Sequence, residues 1–176
     1  AVFAGPGAGI AISGLLGVFI HAQSLSAAAG WQLYGVLALL LVVMVARWLP
    51  RPGELHRSGE QPPPLTLTTP LRRLVWSYSL AGFGYILPAT FLSQLASQRF
   101  PDSLFAQFIW PVFGLAGATG IALSIAMRRF GHSHQRLAIV LWLQGAGVLA
   151  AWLLPGMSGL VVGALLVGGG FLAAVQ

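Results

Sequence analysis

Two tyrosines seven residues apart give this chain its first candidate chemistry. Tyr78 and Tyr85 lie in the stretch Tyr78-Ser79-Leu80-Ala81-Gly82-Phe83-Gly84-Tyr85-Ile86-Leu87-Pro88-Ala89-Thr90-Phe91-Leu92, which Gly82, Gly84 and Pro88 punctuate. Seven residues are close to two helical turns, so the phenols share a face with Gly82 between them. A phenol in an apolar surround needs a hydrogen-bond partner, and either a solute or the carbonyls of a neighbouring helix can supply it. Gln107, Trp110 and Pro111, followed by Gly114 and Gly117, form a second polar and aromatic group. Gln107 and Trp110 are three apart, hence neighbours on a helix surface. Gln144 is a lone amide in another apolar run, where it can bond to an adjacent helix or touch a solute.

Other chemistries find no support. The chain has no cysteine, which excludes a disulfide framework, thiolate zinc ligation and a thiol nucleophile. His132 and His134 in Gly131-His132-Ser133-His134-Gln135-Arg136 stand two apart without a carboxylate nearby, and a solvated basic loop explains them better than a metal. Glu54, Glu60 and Asp102 lie between the apolar runs at distant points of the chain, so no catalytic set converges. No charged residue or histidine lies deep in a run, and intramembrane charge is the usual mark of ion and proton sites. His21 falls at the end of a run, as an interfacial residue. We expect no enzyme, no cofactor and no metal.

The elements that position these residues follow from composition. Hydrophobic residues make up 57% of the 176 and charged residues 7%, where a soluble domain carries roughly a quarter charged. Such a surface suits lipid, not water. A helix needs about 20 apolar residues to cross the hydrocarbon core. Six runs approach that length, at 2–20, 31–49, 74–96, 104–127, 137–154 and 158–175. They are continuous and lack the alternation of barrel strands, so the expected fold is an all-α polytopic membrane bundle of about six transmembrane helices.

The formal charge of +6 comes from nine arginines and three acids. The arginines fall between the runs or at their ends, so they report topology and not nucleic acid. Arg47 at the very end of the second run and Arg51, Arg57, Arg72 and Arg73 after it mark the connection to the third run, and Arg128, Arg129 and Arg136 lie between the fourth and fifth. Only Arg99 lies on the other side, beside Asp102. The positive-inside rule therefore makes both arginine-rich connections cytoplasmic. Residues 50–70 hold Pro52, Pro62, Pro63 and Pro64 and read as an extended linker between two bundles. The expected division is 1–49, linker 50–73, and 74–176. Both ends fall inside apolar runs, so we expect an internal fragment of a longer protein.

The first run opens with Gly5-Pro6-Gly7-Ala8-Gly9, in which Gly5, Gly9 and Ser13 recur at every fourth residue, the spacing of small-residue helix packing. Pro6 is expected to bend that helix. This segment resembles part of the fifth-helix Gly-Pro signature of proton-driven efflux members of the major facilitator superfamily. Ile10 stands where that signature has its second Gly, so the match is partial. Gly30-Trp31 is similar to the start of the family's sixth helix, and 50–70 resembles its central cytoplasmic loop. The stretch Gly82-Phe83-Gly84-Tyr85-Ile86 with Pro88-Ala89-Thr90-Phe91-Leu92 resembles the YbfB/YjiJ-type branch. Arg128-Arg129-Phe130-Gly131 sits at the repeat of the Asp-Arg-x-Gly loop signature, with Arg128 in the Asp position.

The resemblance implies a fragment spanning about helices five to ten of twelve. It implies a secondary transporter in the cell membrane, of the bacterial inner-membrane kind, moving a small organic solute by alternating access. Proton-coupled efflux is a further option under the same resemblance; a non-transporting sensor or scaffold is the alternative. The implied solute contacts are Tyr78, Tyr85, Thr90, Gln107 and Trp110. Gly5, Pro6, Gly9, Gly82, Gly84 and Pro88 would serve helix packing and gating. The implied partners are the bilayer, a small-molecule substrate and protons, with no nucleic acid.

Overall fold

The computed structural model describes residues 4–49, 68–127 and 132–174. The proline-rich linker at 50–67 and Arg128-Arg129-Phe130-Gly131 lie outside the described residues. Within them the chain forms seven helices: α1 (Ala4–Ala22), α2 (Ala27–Ala46), α3 (Thr69–Arg99), α4 (Leu104–Gln107), α5 (Ile109–Ala126), α6 (Ser133–Leu153) and α7 (Gly156–Ala173). Five of them, α1, α2, α5, α6 and α7, are long and apolar enough to cross a membrane. α3 is less apolar but longer. Its 31 residues span about 46 Å at 1.5 Å per residue, more than the hydrocarbon core. Its first turns, with Arg72 and Arg73, therefore reach the interface. The chain is an all-α polytopic membrane bundle.

Short, well-capped turns make the helices antiparallel. α1 ends with Ser24 in the left-handed region at φ 52°. The Ser24 N–H donates to the His21 carbonyl and the Leu25 N–H to the Ile20 carbonyl, at 2.9 and 3.1 Å. This pair satisfies terminal carbonyls that would otherwise be orphaned in lipid. Ser26 then caps α2 by accepting from the Ala29 N–H at 3.2 Å. α6 and α7 join through Pro155 and Gly156, whose φ of 75° favours glycine.

One expected run divides. Residues 104–127 read as one helix in the sequence, but the chain breaks at Phe108 into α4 and α5. Pro111 is the cause. It has no N–H for the Gln107 carbonyl, and its ring would crowd that carbonyl in a continuous helix. Restarting at Ile109 places Pro111 in the first turn of α5, where a missing donor costs nothing. By contrast, α3 runs unbroken through Gly82, Gly84 and Pro88.

The core is built on α5, which packs against α1 on one side and α7 on the other, with α6 against the far side of α7. Small residues set these distances. A Cβ on Gly114 would collide with the backbone of Ala11, and one on Gly7 would stand 2.6 Å from the Ala118 nitrogen. A Cβ on Gly168 would likewise stand 2.5 Å from the Phe113 carbonyl oxygen. The buried face of α1 is therefore Gly7, Ala11 and Gly14. Gly5 and Gly9 of the expected Gly5, Gly9 and Ser13 face lie on another side of α1, where a Cβ on either would meet nothing within 4 Å among the described residues. Both sets have helical spacing, and the partner helix selects between them.

Candidate functional site

A cavity of about 830 Å³ opens where the α1–α2 pair meets the α3–α4 turn and the start of α5. It lies at the end of the bundle opposite Arg72, Arg73 and Arg136, because α3 and α6 both start from that other end. α1 contributes Ser13, Gly14, Gly17 and His21; α2 contributes Trp31 and Tyr34. Ser93 and Ser97 come from the last turns of α3, Ser103 from the following turn, Gln107 from α4 and Trp110 from α5. Its lining, among the described residues, has hydroxyls, an amide, an imidazole and three large aromatic rings but no carboxylate, arginine or lysine.

Local structure explains how these groups are held. The Tyr34 hydroxyl donates to the Ser13 carbonyl at 2.7 Å, tying α2 to α1. The Ser13 hydroxyl turns back to the Ile10 carbonyl at 3.0 Å and Ser97 to the Ser93 carbonyl at 3.1 Å. Each hydroxyl is thereby satisfied as a donor and keeps lone pairs that can accept from a solute. The helix break is part of the site. It carries Gln107 on a separate turn from Trp110, and Pro111 leaves the Gln107 carbonyl without its usual donor one turn on.

Of the expected contacts, Gln107 and Trp110 come together in this cavity. Tyr78, Tyr85 and Thr90 do not line it. The Tyr78 hydroxyl donates to the Ala174 carbonyl at 2.7 Å, at the end of α7, and the Thr90 hydroxyl donates to the Ile86 carbonyl of its own helix at 2.7 Å. Tyr85 stacks on Phe171 with ring centroids 4.3 Å apart. Phe171 lies 6.1 Å from Phe113, and Phe113 lies 5.5 Å from Trp110 at an interplanar angle of 4°. An aromatic chain thus joins Tyr85 on α3 to Trp110 at the cavity wall.

Sequence reasoning missed Trp31, Tyr34, Ser93, Ser97 and Ser103 as site residues and placed His21 and Ser13 in other roles. The available signal was polarity at adjoining helix ends. It becomes a site only once the α1–α2 and α3–α4 turns are known to lie side by side.

Among the other expected positions, a methyl group added at Gly82 or Gly84 would meet nothing within 4 Å, and Pro88 is half-buried inside α3. No group of three or more possible metal ligands occurs among the described residues.

No curated protein and no solved structure matches the chain. A family model described as "Uncharacterised MFS-type transporter YbfB" matches residues 1–176. The match covers every helix above and the cavity between them, and the chain belongs to this family of MFS-type transporters.

Proposed function

We propose that the chain forms part of a secondary transporter that moves a small organic solute by alternating access, and that the cavity between α1–α2 and α3–α5 holds the solute. The observation that carries this reading is a cluster of hydroxyl, amide and indole groups facing a shared space inside an otherwise apolar bundle. Polar groups in lipid are costly unless they have partners, and a few placed polar groups among apolar walls is the ordinary make-up of a small-molecule site. Gln107 and Trp110 would contact the solute from one side, with Trp31 and the Ser13–Tyr34 pair from the other. Tyr85 would act at one remove, through the aromatic chain that ends at Trp110.

Residues 1–49 and 74–176 would belong to two halves joined by the linker 50–73. The small faces of α1 and α5 would form the contact about which the halves rock. Gly5, Pro6 and Gly9 are left on the other side of α1, free to pack against further helices; Gly82, Gly84 and Pro88 would let α3 bend during the cycle. Coupling to protons is the option that the Gly-Pro segment of α1 favours.

The test is uptake of a compound panel into vesicles holding the full-length protein, with and without a pH gradient. Uptake that falls on replacing Gln107 and Trp110 supports the site. Uptake indifferent to the gradient removes proton coupling, and absence of uptake for every compound favours a sensor or scaffold.

A further inference from the structure

A larger cavity, of about 1010 Å³, lies apart from the proposed solute site, between α3, α6 and α7. α3 separates the two: Ser93 and Ser97 line the polar cavity, while Phe91, Leu95 and Arg99 line the larger one. The wall that α3 gives it recurs at helical spacing through Leu80, Gly84, Leu87, Phe91, Leu95 and Arg99. Among the described residues the space is open. A Cβ on Gly84 of α3 or Gly145 of α6, both in the lining, would meet nothing within 4 Å. Leu80, Phe91, Leu149 and Trp152 remain exposed along it, the character of a groove open to lipid.

Arg99 is the one charged side chain of that lining among the described residues, and it is exposed. The other polar side chains offer the groove little. The Ser77 hydroxyl donates back to the Arg73 carbonyl at 2.9 Å, and Gln144 is 5% exposed, with its Nε2 buried beside Gly170. Asp102, the acid nearest Arg99 in the sequence, does not line the cavity. Arg99 ends α3 and Trp152 stands in the last turn of α6. Both helices start from the arginine-rich end, so this pair marks the opposite interface, where tryptophan rings and snorkelling arginines sit at headgroup level. From Arg99 back to Gly84 the α3 wall is apolar for about 22 Å, more than the depth of one leaflet in a hydrocarbon core of about 30 Å.

An apolar groove of leaflet depth with a guanidinium at its headgroup end matches both parts of a phospholipid. We propose that this cavity binds a phospholipid of net negative headgroup, taken from the leaflet opposite the arginine-rich end. Its phosphate sits on Arg99 and one acyl chain lies along Leu95, Phe91 and Leu149. A guanidinium pairs with phosphate through parallel N–H donors, and a headgroup without a positive charge of its own leaves that attraction uncancelled.

The test uses the full-length protein in vesicles of equal phosphatidylcholine and phosphatidylglycerol, with one or the other lipid carrying a diazirine in its acyl chain. After irradiation the labelled residues are mapped. Labelling of the α3 and α6 groove by phosphatidylglycerol should exceed that by phosphatidylcholine about fivefold, the contribution of one arginine near anionic lipid. Arg99→Gln should bring the two to the same level. Arg73→Gln, at the other end of α3 and outside the lining, should leave the ratio unchanged. Equal labelling of the unaltered protein by the two lipids overturns the proposal. So does a ratio lowered as much by Arg73→Gln as by Arg99→Gln, which would trace it to net charge alone. A groove free of label overturns it as well, since protein would then cover the space. Because the readout is labelling and not uptake, failure of the transport reading leaves this result interpretable.

Discussion

The Tyr34 hydroxyl reaches from α2 to the Ser13 carbonyl of α1 at 2.7 Å, and Gly17 makes room for it. A Cβ on Gly17 would stand 3.3 Å from that hydroxyl oxygen. Both residues line the polar cavity, so one bond closes its α1–α2 wall. Tyr34→Phe keeps the ring and removes the bond. Hydrogen bonds between membrane helices average about 0.6 kcal/mol, so unfolding in a dodecyl-sulfate titration should shift only slightly. Solute uptake should fall by more than that small loss implies, because the wall of the site loosens. Unchanged uptake beside a lowered midpoint would place the bond in the scaffold alone.

Tyr78 gives the opposite expectation. Its hydroxyl is committed to the Ala174 carbonyl, which as a helix-end acceptor has no intrahelical donor of its own. Tyr78→Phe should lower stability by about 0.6 kcal/mol and leave the concentration dependence of uptake where it was. A raised KM would return this phenol to the solute path.

The close approach of α1 and α5 makes a sharper contrast. Gly114→Ala forces a methyl group into the Ala11 backbone, which neither helix can relieve by a side-chain rotation. Overpacking of this sort typically costs about 1–3 kcal/mol, and we expect poor folding and little uptake. Gly35→Ala, on a face of α2 with nothing within 4 Å, should be neutral or stabilising by up to about 1 kcal/mol through helix propensity. Thermal unfolding of the two variants side by side checks the pair. Equal behaviour would mean that α1 and α5 do not approach so closely.

These contrasts show what the sequence could and could not convey. Run length and missing charge were enough to locate six helices, because a lipid environment forces long apolar stretches into one regular form. The packing face of α1 was beyond reach, since Gly5, Gly7, Ala8, Gly9, Ala11, Ser13 and Gly14 put small residues on almost every side. Only Pro111 and Gly114 of α5 choose Gly14 and Ala11 from among them. The Tyr78 bond joins residues 96 positions apart, and no local pattern announces such a pair. Gln107 and Trp110 stood out as candidates because an amide and an indole three apart are unusual in an apolar run, and Pro111, the cause of the nearby helix break, is itself in the sequence. Even there the run's continuous hydrophobicity concealed the break.

The break offers the most direct test of the site. Pro111→Ala restores a donor for the Gln107 carbonyl and removes the ring that keeps α4 and α5 apart, so the favoured form becomes a single helix from Leu104 onward. Fusing the two turns gains a backbone hydrogen bond, worth about 1 kcal/mol net, and should raise the thermal midpoint. It also rotates Gln107 relative to Trp110, which now face the cavity from separate turns, and it opens a gap against Gly14 where the Pro111 ring sat. Stability and transport should therefore move in opposite directions, with the variant more resistant to unfolding and slower in uptake. A variant that gains stability and transports normally would show that the solute does not depend on the Gln107–Trp110 arrangement. One that loses both would show the Pro111 ring to be a packing element against α1, with the helix break as its by-product.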